Sequence, residues 1–310
     1  MFRIGVCVAA VVCATGCAAR GVVRPAQTGA PATTATEGDS LETAMGKVRA
    51  LSTRARPLNP SLRTVEASDP ALAAALLVAE AHPSGAARRA VGAAYARLGI
   101  LDKAHEHLTA AVTIDPHDAA AWDGLARIWR DWGFPYLGLA DAHRAVFFAP
   151  KSPVVHNTLG TLFQALGRRA DARIHYERAL QLDATAAYAL NNLCYSWILD
   201  QRVTEAVGAC RRALALQPNL EAARNNLALA YASGGDLEGA AGQFSGASQA
   251  GRAEYNMGIV LLARREYAEA AKAFEAAQAR RSNFRAAQVR ERQARVHAAA
   301  VREPEQVGRP

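Results

Sequence analysis

The sequence predicts an all-α solenoid of about six helix-turn-helix repeats, with capping helices at its ends. Segments that begin at residues 85, 119, 153, 187 and 221, a constant step of 34, can be aligned with a last segment that begins at 251. Their twentieth and twenty-seventh residues are eleven Ala and one Gly: Ala104, Gly138, Ala172, Ala206, Ala240, Ala270, Ala111, Ala145, Ala179, Ala213, Ala247 and Ala277. A repeat of this length buries its apolar face only against neighbouring repeats, so stacked repeats share one core.

Each repeat is predicted to form two short helices joined by a turn. In the third repeat, Leu159, Gly160 and Phe163 fall on one helical face, and Gly167 is typical of the position just past a helix end. A second helix follows, with Ala172, Tyr176 and Ala179 again on one face. Small residues at positions 8, 20 and 27 allow the two backbones to approach closely, and bulky residues at 7, 11 and 24 fill the space beside them.

This pattern resembles the tetratricopeptide repeat, whose signature is W-x2-L-G-x2-Y…A-x3-F…P over 34 residues. Position 11 holds Tyr95, Trp129, Phe163, Trp197, Tyr231 and Leu261. The turn Gly is present as Gly99, Gly133, Gly167 and Gly235, whereas Gln201 and Arg265 depart from it. The resemblance covers 85–284 and implies a right-handed superhelix whose first helices line a concave, protein-binding face. The expected repeats are 85–118, 119–152, 153–186, 187–220, 221–250 and 251–284.

The flanks of the array are predicted to be caps and unstructured segments. Residues 41–84 are expected to form an N-terminal helical cap, in which Asp69 is an N-cap and Pro70 the first helical residue; whether 41–68 pack is left open. The fifth repeat is four residues short, so a tighter turn is expected near 248–251. The charged segment 285–300 suits a solvent-facing capping helix, and 301–310 is expected to be a disordered tail.

The N-terminus resembles a bacterial lipoprotein signal. A positive start and an apolar run from residue 4 to 14 are too short to span a membrane and fit a secretory signal over 1–16. Small residues precede Cys17, as in a lipobox, so the resemblance implies cleavage before Cys17 and lipid attachment to it. Ala18, which is not Asp, implies the periplasmic face of the outer membrane. Secretion without lipid and an uncleaved cytoplasmic chain are the alternatives, and 17–40 is expected to be a disordered tether.

Cys194 and Cys210 are the cysteines that remain in the folded part. They occupy positions 8 and 24 of the fourth repeat, which two antiparallel helices bring opposite each other. An exported protein meets an oxidising compartment, so a Cys194–Cys210 disulfide is a candidate. The alternative is two buried thiols that act as small hydrophobes.

Composition and motifs indicate a protein without catalytic chemistry. The formal net charge is +8, but the basic residues are spread over many helices, so no nucleic acid is expected. The basic cluster at 280–295 suits a solvated cap or, alternatively, anionic lipid or an acidic partner. No nucleotide, hydrolase or metalloprotease motif is present. His105 and His107 are two residues apart and point to different faces of a helix, and His143, His156 and His175 are single residues in separate helices. We therefore expect no enzyme activity, no catalytic residue, no cofactor and no metal site.

A candidate peptide-binding groove follows positions 5 and 6 of the first helices. Asn offers both a donor and an acceptor, so a row of Asn side chains can pair with the backbone of an extended peptide. A similar asparagine ladder is found in the tetratricopeptide superhelix of a nucleocytoplasmic sugar transferase. The candidate groove residues are Asn157, Tyr188, Asn191, Asn192, Tyr195, Asn225, Asn226, Tyr255 and Asn256. The alternative is that these Asn side chains cap or bridge adjacent helices.

The sequence as a whole favours a lipid-anchored periplasmic scaffold that binds a protein or peptide partner. In plan it is similar to tetratricopeptide lipoproteins of Flp-type (tight adherence) and type IV pilus assembly, which is an argument from architecture alone. One alternative is an adaptor that recruits cell-wall enzymes. Another is a binding surface for polysaccharide-export machinery.

Overall fold

The computed structural model describes residue 66 and residues 68–246 and 250–306, and the predicted signal, lipid site, tether and cap segment before residue 66 lie outside these. The described residues form fourteen α-helices and no strand. They fall into two compact units that divide between Ala184 and Thr185. Each unit is a stack of helical hairpins, which confirms the predicted all-α helical-repeat architecture.

The described residues of the first unit form seven helices, and consecutive helices pack against each other. They are α1 (Pro70–Ala81), α2 (Gly85–Arg97), α3 (Leu101–Ile114), α4 (Ala119–Asp131), α5 (Pro135–Phe148), α6 (Pro153–Ala165) and α7 (Arg169–Leu182). The helix α1 starts as predicted, because Asp69 Oδ1 accepts a hydrogen bond from the backbone N–H of Leu72 at 2.8 Å and Pro70 lies in the first turn.

The second unit also contains seven helices. They are α8 (Ala187–Leu199), α9 (Val203–Leu216), α10 (Glu221–Ser233), α11 (Leu237–Ser245), α12 (Arg252–Ala263), α13 (Tyr267–Arg280) and α14 (Arg285–Gln306). The helix α14 runs six residues past the predicted end of the C-terminal cap at 300, so the predicted tail from 301 begins as helix. Residues 301–303 contain no Gly or Asn that would end the helix. Part of the expected tight turn at 248–251 lies outside the described residues.

The small residues at positions 20 and 27 lie where the two helices of a repeat touch. Every described Ala at these positions is fully buried, including Ala104, Ala111 and Ala179 at 0% exposure. In the third repeat a Cβ on Gly160 would lie 2.6 Å from the Tyr176 ring, closer than real atoms approach. Small residues therefore recur at a step of 34 because the two helices of each repeat pack closely at these positions, as the sequence predicts.

Two turns lack the expected Gly and still adopt the same conformation. Gln201 and Arg265 have φ of 58° and 64°, the left-handed region that Gly99 (73°) and Gly235 (90°) occupy in the other repeats. A residue with a Cβ is strained there, by roughly 1 kcal/mol. The helix packing on both sides thus imposes the turn even where the sequence does not favour it. No helix in the described part of the chain is long and apolar enough to cross a bilayer.

Candidate binding surface

The asparagine row, defined as Asn191, Asn192, Asn225, Asn226 and Asn256, lies on three successive first helices of the second unit. The first two side chains are on α8, the next two on α10 and the last on α12, and all are half-buried. Position 8 of each helix, three residues or fewer farther on, holds buried Cys194, Ala228 or a close-packed Gly258. Position 6 is two residues from position 8, roughly 160° around the helix, so it lies opposite the contact with the second helix. Position 5 is three residues from position 8 and lies beside that contact, on the border of the side that is left for a partner.

The row is connected by hydrogen bonds between successive repeats. Asn226 Nδ2 donates to Asn191 Oδ1 at 2.9 Å, and Asn256 Nδ2 donates to Asn225 Oδ1 at 3.4 Å. The first distance is ordinary for a hydrogen bond and the second is long. The Asn side chains therefore bridge adjacent helices, as the alternative interpretation expects. One bridge does not use the full capacity of an amide, which has two donors and an acceptor with two lone pairs.

Two charged side chains on the helices that carry the row have partners within the protein. The Arg224 guanidinium donates to the carbonyl oxygens of Pro218 at 2.8 Å and Gly246 at 2.9 Å. Glu254 lies 2.5 Å from Arg280 in an ion pair. A surface of neutral amides, beside which Arg224 and Glu254 already have hydrogen-bond or ion-pair partners within the protein, suits uncharged main chain better than a strongly charged ligand.

The other candidate groove residues, Asn157 and three tyrosines, lie in different parts of the structure. Asn157 is half-buried on α6 of the first unit. Tyr188 and Tyr195 are on α8, with Tyr188 36% exposed. Tyr255 contacts the rings of Phe274 and Phe284, with centroids 5.6 and 4.9 Å away, so part of its ring serves the core of the last repeat.

A disulfide joins the two helices of the repeat that carries Asn191 and Asn192. Cys194 on α8 and Cys210 on α9 are bonded, with Cα atoms 5.4 Å apart and both side chains at 0% exposure. The cysteines replace the small residue at position 8 and the bulky residue at position 24 that pack together in other repeats. The bond fixes the hairpin from which the row starts.

The first unit contains contacts that sequence reasoning missed, between positions 11 and 23 of one repeat. Tyr95 and Phe163 stack on His107 and His175, with ring centroids 5.5 and 5.3 Å apart. In the second repeat the indole Nε1 of Trp129 donates to Asp141 Oδ2 at 3.1 Å. The signal was present in the sequence as an aromatic residue followed twelve residues later by His or Asp, which antiparallel helices place opposite each other.

Asp141 has a pKa well above the usual value for an aspartate. It lines a recess of about 620 Å³ together with Trp122, Trp129 and Leu137. Burial raises the pKa of Asp141 from 3.8 to about 6, against the opposing influence of Arg144 and of the Trp129 hydrogen bond. The carboxylate is thus less stable in the folded protein than in water.

The pKa of Asp141 predicts a pH-dependent stability. The folded protein keeps a proton that the unfolded chain loses between about pH 4 and 6, so the free energy of unfolding falls as pH rises through this window. The expected decrease is about 2 kcal/mol, allowing for residual solvent access to the side chain. Asp141→Asn keeps an acceptor for Trp129 and should remove this part of the dependence. Urea unfolding at pH 4.5 and 7.5 measures it; the same pH dependence in both proteins would contradict the assignment.

Asp123, His156 and His175 have polar side-chain atoms buried in the described part of the first unit. Burial raises the pKa of Asp123, whose Oδ1 has no hydrogen-bond partner within the described residues, and a recess of about 510 Å³ lies beside it between α2 and α4. The rings of His156 and His175 lie 6.0 Å apart, although the two residues are on different helices, α6 and α7. No group of three or more His, Cys, Asp or Glu in residues 68–246 and 250–306 could hold a metal ion.

Comparisons with known proteins agree with the repeat architecture. The tetratricopeptide repeat family model matches residues 157–221, and no curated protein matches the sequence. The solved structure of the APC/C hetero-tetramer Cut9-Hcn1 is similar with a TM-score of 0.62 at 18% identity, covering 82% of this chain and 56% of that one. This chain therefore spans a little over half the length of that protein.

Two further solved structures are similar over nearly their whole length. A tetratricopeptide repeat protein from Parabacteroides merdae has a TM-score of 0.56 at 17% identity, covering 82% of this chain and 98% of that chain. PilW, a widely conserved type IV pilus biogenesis factor, has a TM-score of 0.57 at 20% identity, covering 66% of this chain and 97% of that chain. At sequence identities of 17% and 20%, these similarities show a shared fold and nothing more specific.

Proposed function

We propose that this chain is a non-enzymatic scaffold that binds an extended protein segment along the asparagine row. The row itself carries the proposal: half-buried amides on the first helices of three successive repeats present donors and acceptors to one surface. Residues 157–221, which match the repeat model, include Asn157, Asn191 and Asn192. Solenoid repeats offer an extended surface, and proteins of this architecture use it for partners.

The partner segment is expected to bind mainly through its main chain. Backbone N–H and C=O groups match the acceptor and donor of each Asn side chain. The long Asn256–Asn225 bridge, at 3.4 Å, is the weaker of the two, so it can be exchanged for a bond to the partner at small cost. The amides of the row are neutral, so they do not favour a highly acidic or basic segment.

The proposed location is the periplasmic face of the bacterial outer membrane, with a lipid on Cys17. Its support is the lipobox-like sequence before Cys17, the apolar run that precedes it and the Ala at position 18. A disulfide within the fold agrees with an oxidising compartment. The fold shared with PilW favours a role in pilus or secretion-system assembly among the envelope functions.

Replacing the asparagines tests the binding surface. A variant with Asn191, Asn192, Asn225 and Asn226 changed to Ala should lose at least about tenfold in partner affinity, since each lost hydrogen bond is worth roughly 1 kcal/mol. The partner is captured from cross-linked envelopes of the host with the tagged, full-length protein and identified by mass spectrometry. Capture of a secretin, pilin or other assembly component supports the assembly role, and capture of wall or polysaccharide-export enzymes supports an adaptor instead.

The matched control changes exposed charges on second helices of the same unit, Arg212→Ala and Glu238→Ala. It should capture the same partners as the unaltered protein. Equal capture by the control and the asparagine variant, with both folded by circular dichroism, removes the proposed surface. Recovery of a chain with an intact Met1 and unmodified Cys17 from the cytosol removes the proposed location.

A further inference from the structure

Asp123, on the first helix of the second repeat, is a buried acid with one carboxylate oxygen that no described residue binds. The residue is 5% exposed, and its Oδ1 has no hydrogen-bond partner within the described residues. The carboxylate forms a hydrogen bond with the Thr158 side chain, and Arg127 Nη1 lies 4.0 Å from Oδ2, beyond hydrogen-bond distance. A buried acceptor without a donor costs free energy, so such an atom calls for an explanation.

This acid forms part of the wall of a recess of about 510 Å³ between α2 and α4. Burial raises the pKa of Asp123 above its usual value, against the opposing influence of Thr158, Arg127 and Arg130. The ionised carboxylate is therefore poorly stabilised by its surroundings within the protein. The rest of the wall is largely apolar and consists mainly of small residues: Ala90, Ala93, Leu108, Ala120, Gly124 and Ile128. A recess of this size with one perturbed polar group has the character of a binding site.

The other charged residues that line the recess are already compensated within the first unit. They belong to three ion pairs: Arg89 with Asp118, Arg97 with Asp69, and Asp131 with Arg130. The charge of Arg127 is offset by the Asp123 carboxylate itself. Because no arginine here is left without an acidic neighbour, the recess does not favour an anionic ligand such as a carboxylate or a phosphate.

A ligand for the open oxygen has to bring a hydrogen-bond donor, and the surroundings favour a lysine ammonium. A hydrogen bond between a charged donor and a charged acceptor is roughly twice as strong as one between neutral groups. The ammonium is a compact point charge that one acceptor can bind, whereas the planar guanidinium of arginine is matched by two acceptors side by side. Apolar walls suit the methylene stem that carries the ammonium.

We propose that the recess between α2 and α4 binds a lysine side chain of a protein partner, with the ammonium on Asp123 Oδ1 and the methylene groups against the apolar walls. Arg127 is the cation that the ammonium displaces. Its side chain is 55% exposed, so the guanidinium can turn to solvent when the lysine enters. The site lies in the first unit, and the proposal does not depend on what the asparagine row binds.

Methyl NMR of the full-length protein tests the proposal with three probes. These are capped heptapeptides of Ala and Gly that differ only at the central residue, which is Lys, Gln or Glu. The lysine peptide should shift the methyl signals of Ile128 and Leu108, which line the recess. It should bind at least about tenfold more tightly than the glutamine peptide, because it adds a charge-assisted hydrogen bond.

Two variants with opposite expected effects identify the groups that bind the lysine. Asp123→Asn keeps the shape of the side chain and removes its charge, so the preference for the lysine peptide should disappear. The variant should fold normally by circular dichroism, because burial disfavours the charge that it removes. Arg127→Ala removes the competing cation and should strengthen binding of the lysine peptide at least about twofold.

The matched control is Asp141→Asn, which removes the charge of a buried acid of the same repeat that lines a different recess. It should keep the tenfold preference for lysine, as should the variant with four asparagines changed to Ala. Loss of partner capture at the asparagine row and loss of lysine binding are therefore separate outcomes.

Four results would overturn the proposal. Equal binding of the three peptides, or unchanged Ile128 and Leu108 signals, would mean that the recess does not take a lysine. Tighter binding of the glutamate peptide would identify the arginines as the ligand-binding groups. Weaker binding of the lysine peptide to Arg127→Ala would mean that this arginine holds the ligand and does not compete with it. Loss of the preference in Asp141→Asn would show a general effect of net charge.

Discussion

Removing the Cys194–Cys210 disulfide is expected to lower the free energy of unfolding of the second unit by about 3 kcal/mol. The bond closes a loop with a sequence separation of 16, and a loop of this length restricts the unfolded chain by that amount. The hairpin α8–α9 that it closes also carries Asn191 and Asn192. We therefore expect the reduced protein to bind its partner more weakly as well as to unfold more readily.

Urea unfolding with and without dithiothreitol measures this effect. The reductant should shift the midpoint of the unaltered protein and leave Cys194→Ala/Cys210→Ala unchanged. The double variant cannot form the bond, so any shift that dithiothreitol causes in its midpoint measures effects of the reductant on other parts of the chain. Two thiols that react with an alkylating agent before reduction would mean that the bond is absent from the purified protein.

The repeat architecture could be predicted from sequence because its strongest constraint is steric and local. Two backbones in contact tolerate only Ala or Gly at positions 20 and 27, so the requirement is written at a fixed step along the chain. The turns at Gln201 and Arg265 could not be predicted in this way, because both residues adopt the left-handed conformation without the Gly that usually indicates it. There the surrounding helices determine the backbone, and the local residue does not.

The candidate surface was only partly predictable, because it depends on the rotation from one repeat to the next. That Asn226 reaches Asn191, 35 residues away, and that Asn256 reaches Asn225, 31 residues away, follows from how neighbouring repeats are turned. A sequence places these residues on one type of helix but does not give their distance. The contact of Trp129 with Asp141 is different, because both residues lie in one helical hairpin. Their separation of 12 residues could have predicted it from the sequence.

The same substitution, Gly to Ala, is expected to have opposite effects at two helix positions of this protein. A Cβ on Gly138, at position 20 of the second repeat, would lie 2.7 Å from the backbone oxygen of Ala126 and 3.1 Å from Leu162 Cδ2. Because a backbone oxygen cannot turn aside, α4 and α5 must separate, and we expect a loss of about 3 kcal/mol in the free energy of unfolding. On Gly208, within α9, a Cβ meets nothing within 4 Å.

Gly208→Ala should instead stabilise the protein by about 0.5 to 1 kcal/mol, because Ala restricts the unfolded chain and favours helix. Helix propensity alone predicts stabilisation at both sites, so the difference in sign isolates the interhelical contact. Urea unfolding followed by circular dichroism measures both variants, and tryptophan fluorescence reports on the hairpin that holds Trp129. Stabilisation by Gly138→Ala would mean that α4 and α5 can move apart without loss. Close contact between the two helices would then not be the reason for the small residue at position 20.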